Sequence, residues 1–164
     1  MIKISHLFHA LLIFVITTMN EGGIFMQDRK LIDLKDVVNH QAAPPACDIT
    51  LKIEVEDAQD GRATTIWKPD ESFVNGVGVV MGGYVSSAAD ITMAYAISSI
   101  LEENQTFGSI NLNTTFHRAV FPGEVIVHAT VKKQGRSVSY VEAELFQNEK
   151  LVATATSSVS IRPL

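Results

Sequence analysis

The run Asn75-Gly76-Val77-Gly78-Val79-Val80-Met81-Gly82-Gly83, with Asp90 a few positions on, gathers the residue types best suited to chemistry in this 164-residue chain. Glycines permit tight turns and close backbone approach, and Gly82-Gly83 stands where a long helical pattern begins. The first N–H groups of a helix lack intrahelical acceptors and carry the positive end of its dipole, so they can polarise a carbonyl and hold a developing oxyanion. Glycines alone would favour a plain helix entry. Asp90 shifts the balance toward chemistry, because a carboxylate on a buried helix is costly unless it is hydrogen-bonded, paired or used. It could act as a nucleophile, or activate a water for attack on a carbonyl. Asp90 lies eight residues beyond Gly82, about 12 Å along a helix axis. One carbonyl cannot easily meet both on the same helix. If both act on one group they come from different chains, which predicts an obligate dimer.

The elements that must position these residues follow from hydrophobic periodicity. Over Asp28 to Asn39, Leu31, Ile32, Leu34, Val37 and Val38 fall at helical spacing, and Pro44-Pro45 ends the pattern. Ile49, Leu51, Ile53 and Val55 then alternate with polar residues, predicting a strand, and Asp60-Gly61 turns the chain into a second strand over Thr64 to Trp67. From Gly82 to Leu101, Val85, Ala88, Ala89, Thr92, Met93, Ala96, Ile97 and Ile100 recur at helical intervals. Asp90 is the only charge in that span, so the helix is expected to be wrapped by other structure, with Glu102-Glu103-Asn104 closing it. The paired glycines, the serines and Asp90 make it a poor membrane span. Four strands follow, over Ser109 to Phe116, Glu124 to Lys132, Val138 to Phe146 and Leu151 to Ile161. The expected fold is α+β, an antiparallel sheet curled around one long central helix.

Composition sets the remaining bounds. A hydrophobic content of 46% suits a single core, and a net charge of −5 argues against a nucleic-acid partner. Cys47 is the single cysteine, without disulfide or zinc partners. His117 and His128 lack partners at metal-ligand spacing, no serine sits in a nucleophile-elbow context, and no metal or cofactor is expected. Residues 1–26 form an apolar leader or lie before a true start at Met19 or Met26; the latter is favoured, and a cytoplasmic location with it. Residues 27–46 are read as a helix and linker, and residues 47–164 as the main domain.

Asn75, Gly76, Gly78, Gly82-Gly83 and Asp90, followed by the strand from Ser109 to Phe116, resemble the PaaI-like branch of the hotdog thioesterases in the 4-hydroxybenzoyl-CoA thioesterase superfamily. The resemblance covers roughly residues 48–162. It implies a hotdog fold that hydrolyses acyl-CoA thioesters, with CoA as part of the substrate rather than a cofactor. It further implies Gly82 as oxyanion donor, Asp90 as catalytic carboxylate from the facing subunit, Asn75 as orienter of thioester or water, and Ser109 as a polar helper. Gly83 and Met81 would border the substrate. Lys133, Gly135, Arg136, Ser137 and Arg118 would meet CoA, whose phosphates call for cations; Lys132 is a further candidate. Tyr84, Met93, Tyr95 and Phe107 are candidates to shape the acyl pocket. The implied assembly is a homodimer, paired again into a homotetramer. Met81 departs from the family pattern, which has histidine there, and methionine cannot donate that histidine's hydrogen bond. The alternative is a hotdog module that binds acyl-CoA or a lipid without cleaving it.

Overall fold

The computed structural model describes residues 32–164. The leader, the alternative starts and the first residues of the helix predicted from Asp28 lie outside the described residues. That helix is seen as α1, Leu34–Val38, where the Asp33 carboxylate accepts from Lys35 N at 2.9 Å and caps the first turn. The strand predicted from Ile49 begins instead at Ile53, because residues Ala46–Leu51 form a short helix, α2. Pro45, with φ already near helical values, leads into it; Thr50 Oγ1 donates to the Ala46 carbonyl, and Lys52 at φ 60 stops it. A tertiary bond overrides the alternating pattern. Asp48 is 2% exposed and its carboxylate accepts from the Tyr95 hydroxyl at 2.6 Å, whereas Ile49, expected to face inward, is exposed.

Strand β1, Ile53–Gln59, turns through Asp60 (φ 50) and Gly61 (φ 74) into β2, Arg62–Trp67. Positive φ at both central residues matches the right-handed twist of the flanking strands. A 3-10 turn at Glu71–Phe73 leads to the glycine-rich segment and to α3, Gly82–Ser98. Five strands follow, not four: β3 Gln105–Ser109, β4 Asn113–Phe116, β5 Val125–Lys133, β6 Val138–Gln147 and β7 Lys150–Pro163. The seven-stranded antiparallel sheet runs β1-β2-β5-β6-β7-β3, with β4 also on β7. The strand predicted over Ser109 to Phe116 is therefore interrupted. Asn111 takes its place in the pairing by side chain, its Oδ1 accepting from Ser158 N at 3.0 Å and its carbonyl from Ser157 Oγ at 2.8 Å. Ile110 and Leu112 are exposed as a result.

The sheet curls around α3. Val85, Ala88, Ala89, Thr92, Met93, Ala96 and Ile97 are buried as the helical stripe predicts, with Tyr95 and Ser98 in addition. They meet Trp67, Val125, Val127, Val141, Leu145 and Ala153 from the strands. Ala88, Ala89 and Ala96 are fully buried, and their small side chains let the strands approach the helix backbone closely. Each large apolar side chain removed from water contributes about 1.5–3 kcal/mol. Two buried threonines pair with each other: Thr92 Oγ1 donates to the Ala88 carbonyl at 2.8 Å and receives from Thr65 Oγ1 at 2.6 Å, whereas Trp67 Nε1 and Thr114 Oγ1 are buried without a partner among the described residues. Burial, and then the Asp48 carboxylate, push the Tyr95 hydroxyl far above its ordinary pKa, so it stays a donor. Among the described residues no helix is long and apolar enough to cross a membrane.

Candidate active site

Asn75 builds the approach to α3. Its N–H donates to the Val79 carbonyl at 2.8 Å, its carbonyl accepts from Gly78 N at 3.0 Å, and its side-chain Oδ1 accepts from Val77 N at 3.0 Å and Val79 N at 3.4 Å. The loop is closed on itself, and Gly78 at φ 85 occupies the turn position that only glycine takes easily. Asn75 Nδ2 is the end of the amide left to meet a ligand. Val80 N then donates to the Val120 carbonyl at 2.8 Å and Met81 N to the Phe73 carbonyl at 2.9 Å, which fixes the angle of helix entry.

Met81 occupies the cap position in extended conformation and supplies no side-chain cap. Its carbonyl accepts from Tyr84 N at 3.0 Å, leaving the N–H groups of Gly82 and Gly83 as the uncapped donors of the first turn. Side chains crowd both glycines. A Cβ on Gly82 would lie 2.9 Å from Phe116 Cζ, and one on Gly83 would lie 3.0 Å from Met81 Cε. The helix start opens into a cavity of about 410 Å³ where Asn75, Gly82 and Arg118 meet, walled by Val79, Val85 and Phe116. One guanidinium nitrogen of Arg118 donates to the Leu151 carbonyl at 2.5 Å, and the rest of the fork remains to meet an anion.

Asp90 and Ser109 lie together elsewhere. Ser109 closes β3 and its Oγ donates to Asp90 Oδ1 at 3.0 Å. Asp90 is only partly buried, so the expectation of an isolated carboxylate inside a wrapped helix is corrected: its charge stays near water and has a hydrogen-bond donor. Neither residue lines the Gly82 cavity. A third group sits in the β5–β6 loop, where Gly135 and Arg136 border a cavity of about 360 Å³ near the C-terminal end of α3. Gly135 N donates to the buried Ser139 Oγ at 3.3 Å, and a Cβ at Gly135 would fall 2.1 Å from the Val138 carbonyl, so the loop needs glycine there. Lys133 and Ser137 flank this cavity without lining it, and Lys132 is paired with Glu142 at 3.4 Å. The predicted residues thus fall into three places on one chain.

None of the four residues expected to shape an acyl pocket lines the Gly82 cavity. Met93 and Tyr95 are core, and Tyr84 stacks edge-on against Phe73 at 4.8 Å between ring centroids. The periodicity missed Phe116, and it missed a clamp on the segment before β5, outside the lining of this cavity. There Gln147 holds the Phe121 backbone from both sides, Nε2 donating to its carbonyl at 2.8 Å and Oε1 accepting from its N–H at 3.1 Å. A glutamine in the inward phase of β6, in line with Val141, Ala143 and Leu145, was the available signal.

A curled antiparallel sheet around one long helix, with an uncapped glycine pair at the helix start, defines a hotdog-fold protein. Residues 77–154 match the family model described as the thioesterase superfamily. The structure superposes on a phenylacetic acid degradation-related protein of Ralstonia eutropha JMP134 with a TM-score of 0.74 and 30% identity, over 79% of this chain and 99% of that one. It also superposes on the PaaI protein of the E. coli phenylacetic acid degradation operon, with a TM-score of 0.66 and 25% identity over 71% and 83% of the two chains. A curated Pseudomonas aeruginosa protein with a provisional esterase name is 32% identical over 88 residues, which make up 53% of this chain and 66% of that relative. The chain belongs to the thioesterase superfamily, among its PaaI-like hotdog members.

Proposed function

We propose that the protein hydrolyses acyl-CoA thioesters to the free acid and CoA, at sites shared between two subunits. The observation that carries this reading is the separation of the two chemical groups: the uncapped donors at Gly82 open into one cavity, while the Asp90–Ser109 pair lies outside it. In a dimer with opposed helices, one chain's helix start can face the other chain's Asp90. The thioester carbonyl sits at the Gly82 N–H, with Asn75 Nδ2 orienting it and Gly83 and Met81 bordering it. Asp90 of the facing subunit, held by its Ser109, takes a proton from the attacking water. The tetrahedral oxyanion is stabilised at the helix start; its collapse breaks the C–S bond, and the proton held by Asp90 passes to the departing sulfur, which releases the acid and the CoA thiol and returns Asp90 to its carboxylate. Arg118, Lys133, Arg136 and the 135–137 backbone receive the CoA phosphates. No metal or cofactor takes part. The unit is a homodimer, paired again into a homotetramer, acting in the cytoplasm.

One observation favours the rival reading of a binding module. Met81 is 44% exposed at the helix cap, and its thioether brings no hydrogen-bond donor to the site. Steady-state hydrolysis across short, medium, long and aromatic acyl-CoAs, followed by thiol release, separates the two. Turnover on at least one class is expected. CoA ligands that raise the thermal midpoint without any turnover would establish the binding module instead.

A further inference from the structure

Phe116 is a large aromatic residue that the core does not require. It ends β4 with 55% of its surface exposed, yet its ring stands directly over Gly82. It therefore narrows the 410 Å³ cavity at the helix start. The other apolar walls, Val79, Val80, Val85, Ala119 and Val120, are all aliphatic. The polar residues at the rim are tied back to β7, His117 Nε2 to Thr154 Oγ1 at 3.0 Å and Arg118 Nη1 to the Leu151 carbonyl. A chamber near the lower end of the usual range for small-molecule pockets, about 300–1,000 Å³, is thus held at its polar rim and restricted by a single ring beside the oxyanion donors.

We infer that Phe116 selects the acyl group. The chamber takes unbranched aliphatic acyl chains of short to medium length, and the ring rejects groups that are wide next to the carbonyl, aryl or branched. The inference rests on the hydrolytic reading for the position of the carbonyl. A slim chain passes between the ring and the valine walls; a phenyl group needs the volume that the ring already fills. Overfilled pockets discriminate steeply, by about tenfold or more per misplaced methylene-sized group.

The test uses binding, so that it stands apart from hydrolysis. Affinities of two non-hydrolysable thioethers, hexyl-CoA and phenethyl-CoA, are measured for wild type, Phe116→Ala and Phe116→Trp, with thermal midpoints as the check on folding. Wild type is expected to prefer hexyl-CoA by about tenfold or more. Phe116→Ala should abolish or invert that preference, and Phe116→Trp should weaken hexyl-CoA as well. An unchanged preference in folded Phe116→Ala, or failure of wild type to bind either thioether, overturns the inference. Binding with the expected pattern but no hydrolysis of matching thioesters would overturn the hydrolytic reading and leave the selectivity of the chamber standing.

Discussion

Asp90→Asn is expected to lower kcat by about 10²- to 10⁴-fold, the range typical of losing a positioned acid or base, while the fold and CoA affinity stay intact. Asparagine keeps the Oδ1 acceptor that Ser109 Oγ uses at 3.0 Å. Asp90 is partly exposed, so the substituted amide finds water for its N–H groups and no buried polar group is orphaned. Only the charge and basicity are lost. Turnover and thermal midpoint measured together decide the matter: a fall in kcat at constant midpoint assigns Asp90 to the chemistry, and a parallel fall of both would make it a structural partner of Ser109.

Gly82→Ala should reduce kcat by about a hundredfold without unfolding the protein. Alanine is the better helix former, so the helix itself gains, and the backbone N–H remains. The new methyl group meets the Phe116 ring, whose Cζ would stand 2.9 Å away. Ring or methyl then occupies the space where a carbonyl must approach the helix start, and displacements of about 1 Å at a reacting centre cost about a hundredfold. Because the obstacle is a side chain, removing it should restore function. The double variant Gly82→Ala with Phe116→Ala is expected to regain about tenfold over Gly82→Ala alone, a non-additivity that contacting residues show. Additive losses, measured as kcat/KM for all four proteins, would mean that the ring does not control access to Gly82.

The long helix and the β5–β7 meander were legible in the sequence because each carries one dominant period over many residues. The stripe from Val85 to Ile97 names the helix face that is buried; Asp60-Gly61 marks a hairpin and Pro122-Gly123 the approach to β5 by their residue types. Ala46–Leu51 was misread because its pattern fits a strand locally, whereas its conformation is decided by a bond from Asp48 to Tyr95, 47 positions away. The break between β3 and β4 was hidden for a similar reason: Asn111 replaces backbone pairing with its side chain, and alternation cannot register that. Gly82, Asn75 and Asp90 were recognisable as candidates by type and spacing, but the surroundings of Asp90 were not. Its freedom from deep burial depends on the sheet edge at Ser109, and Phe116 reaches Gly82 only through the pairing of β4 with β7.

The most direct test of the shared site is complementation between Asp90→Asn and Gly82→Ala chains. The two variants, each measured alone, are mixed under conditions that exchange subunits, and hydrolysis is followed as exchange proceeds. In a mixed dimer one site carries both substitutions and the other carries neither. Random exchange of equal amounts therefore predicts recovery to about one quarter of wild-type turnover. Activity that stays at the average of the two variants, with mixed dimers present, would contradict a site built from the helix start of one chain and Asp90 of its partner.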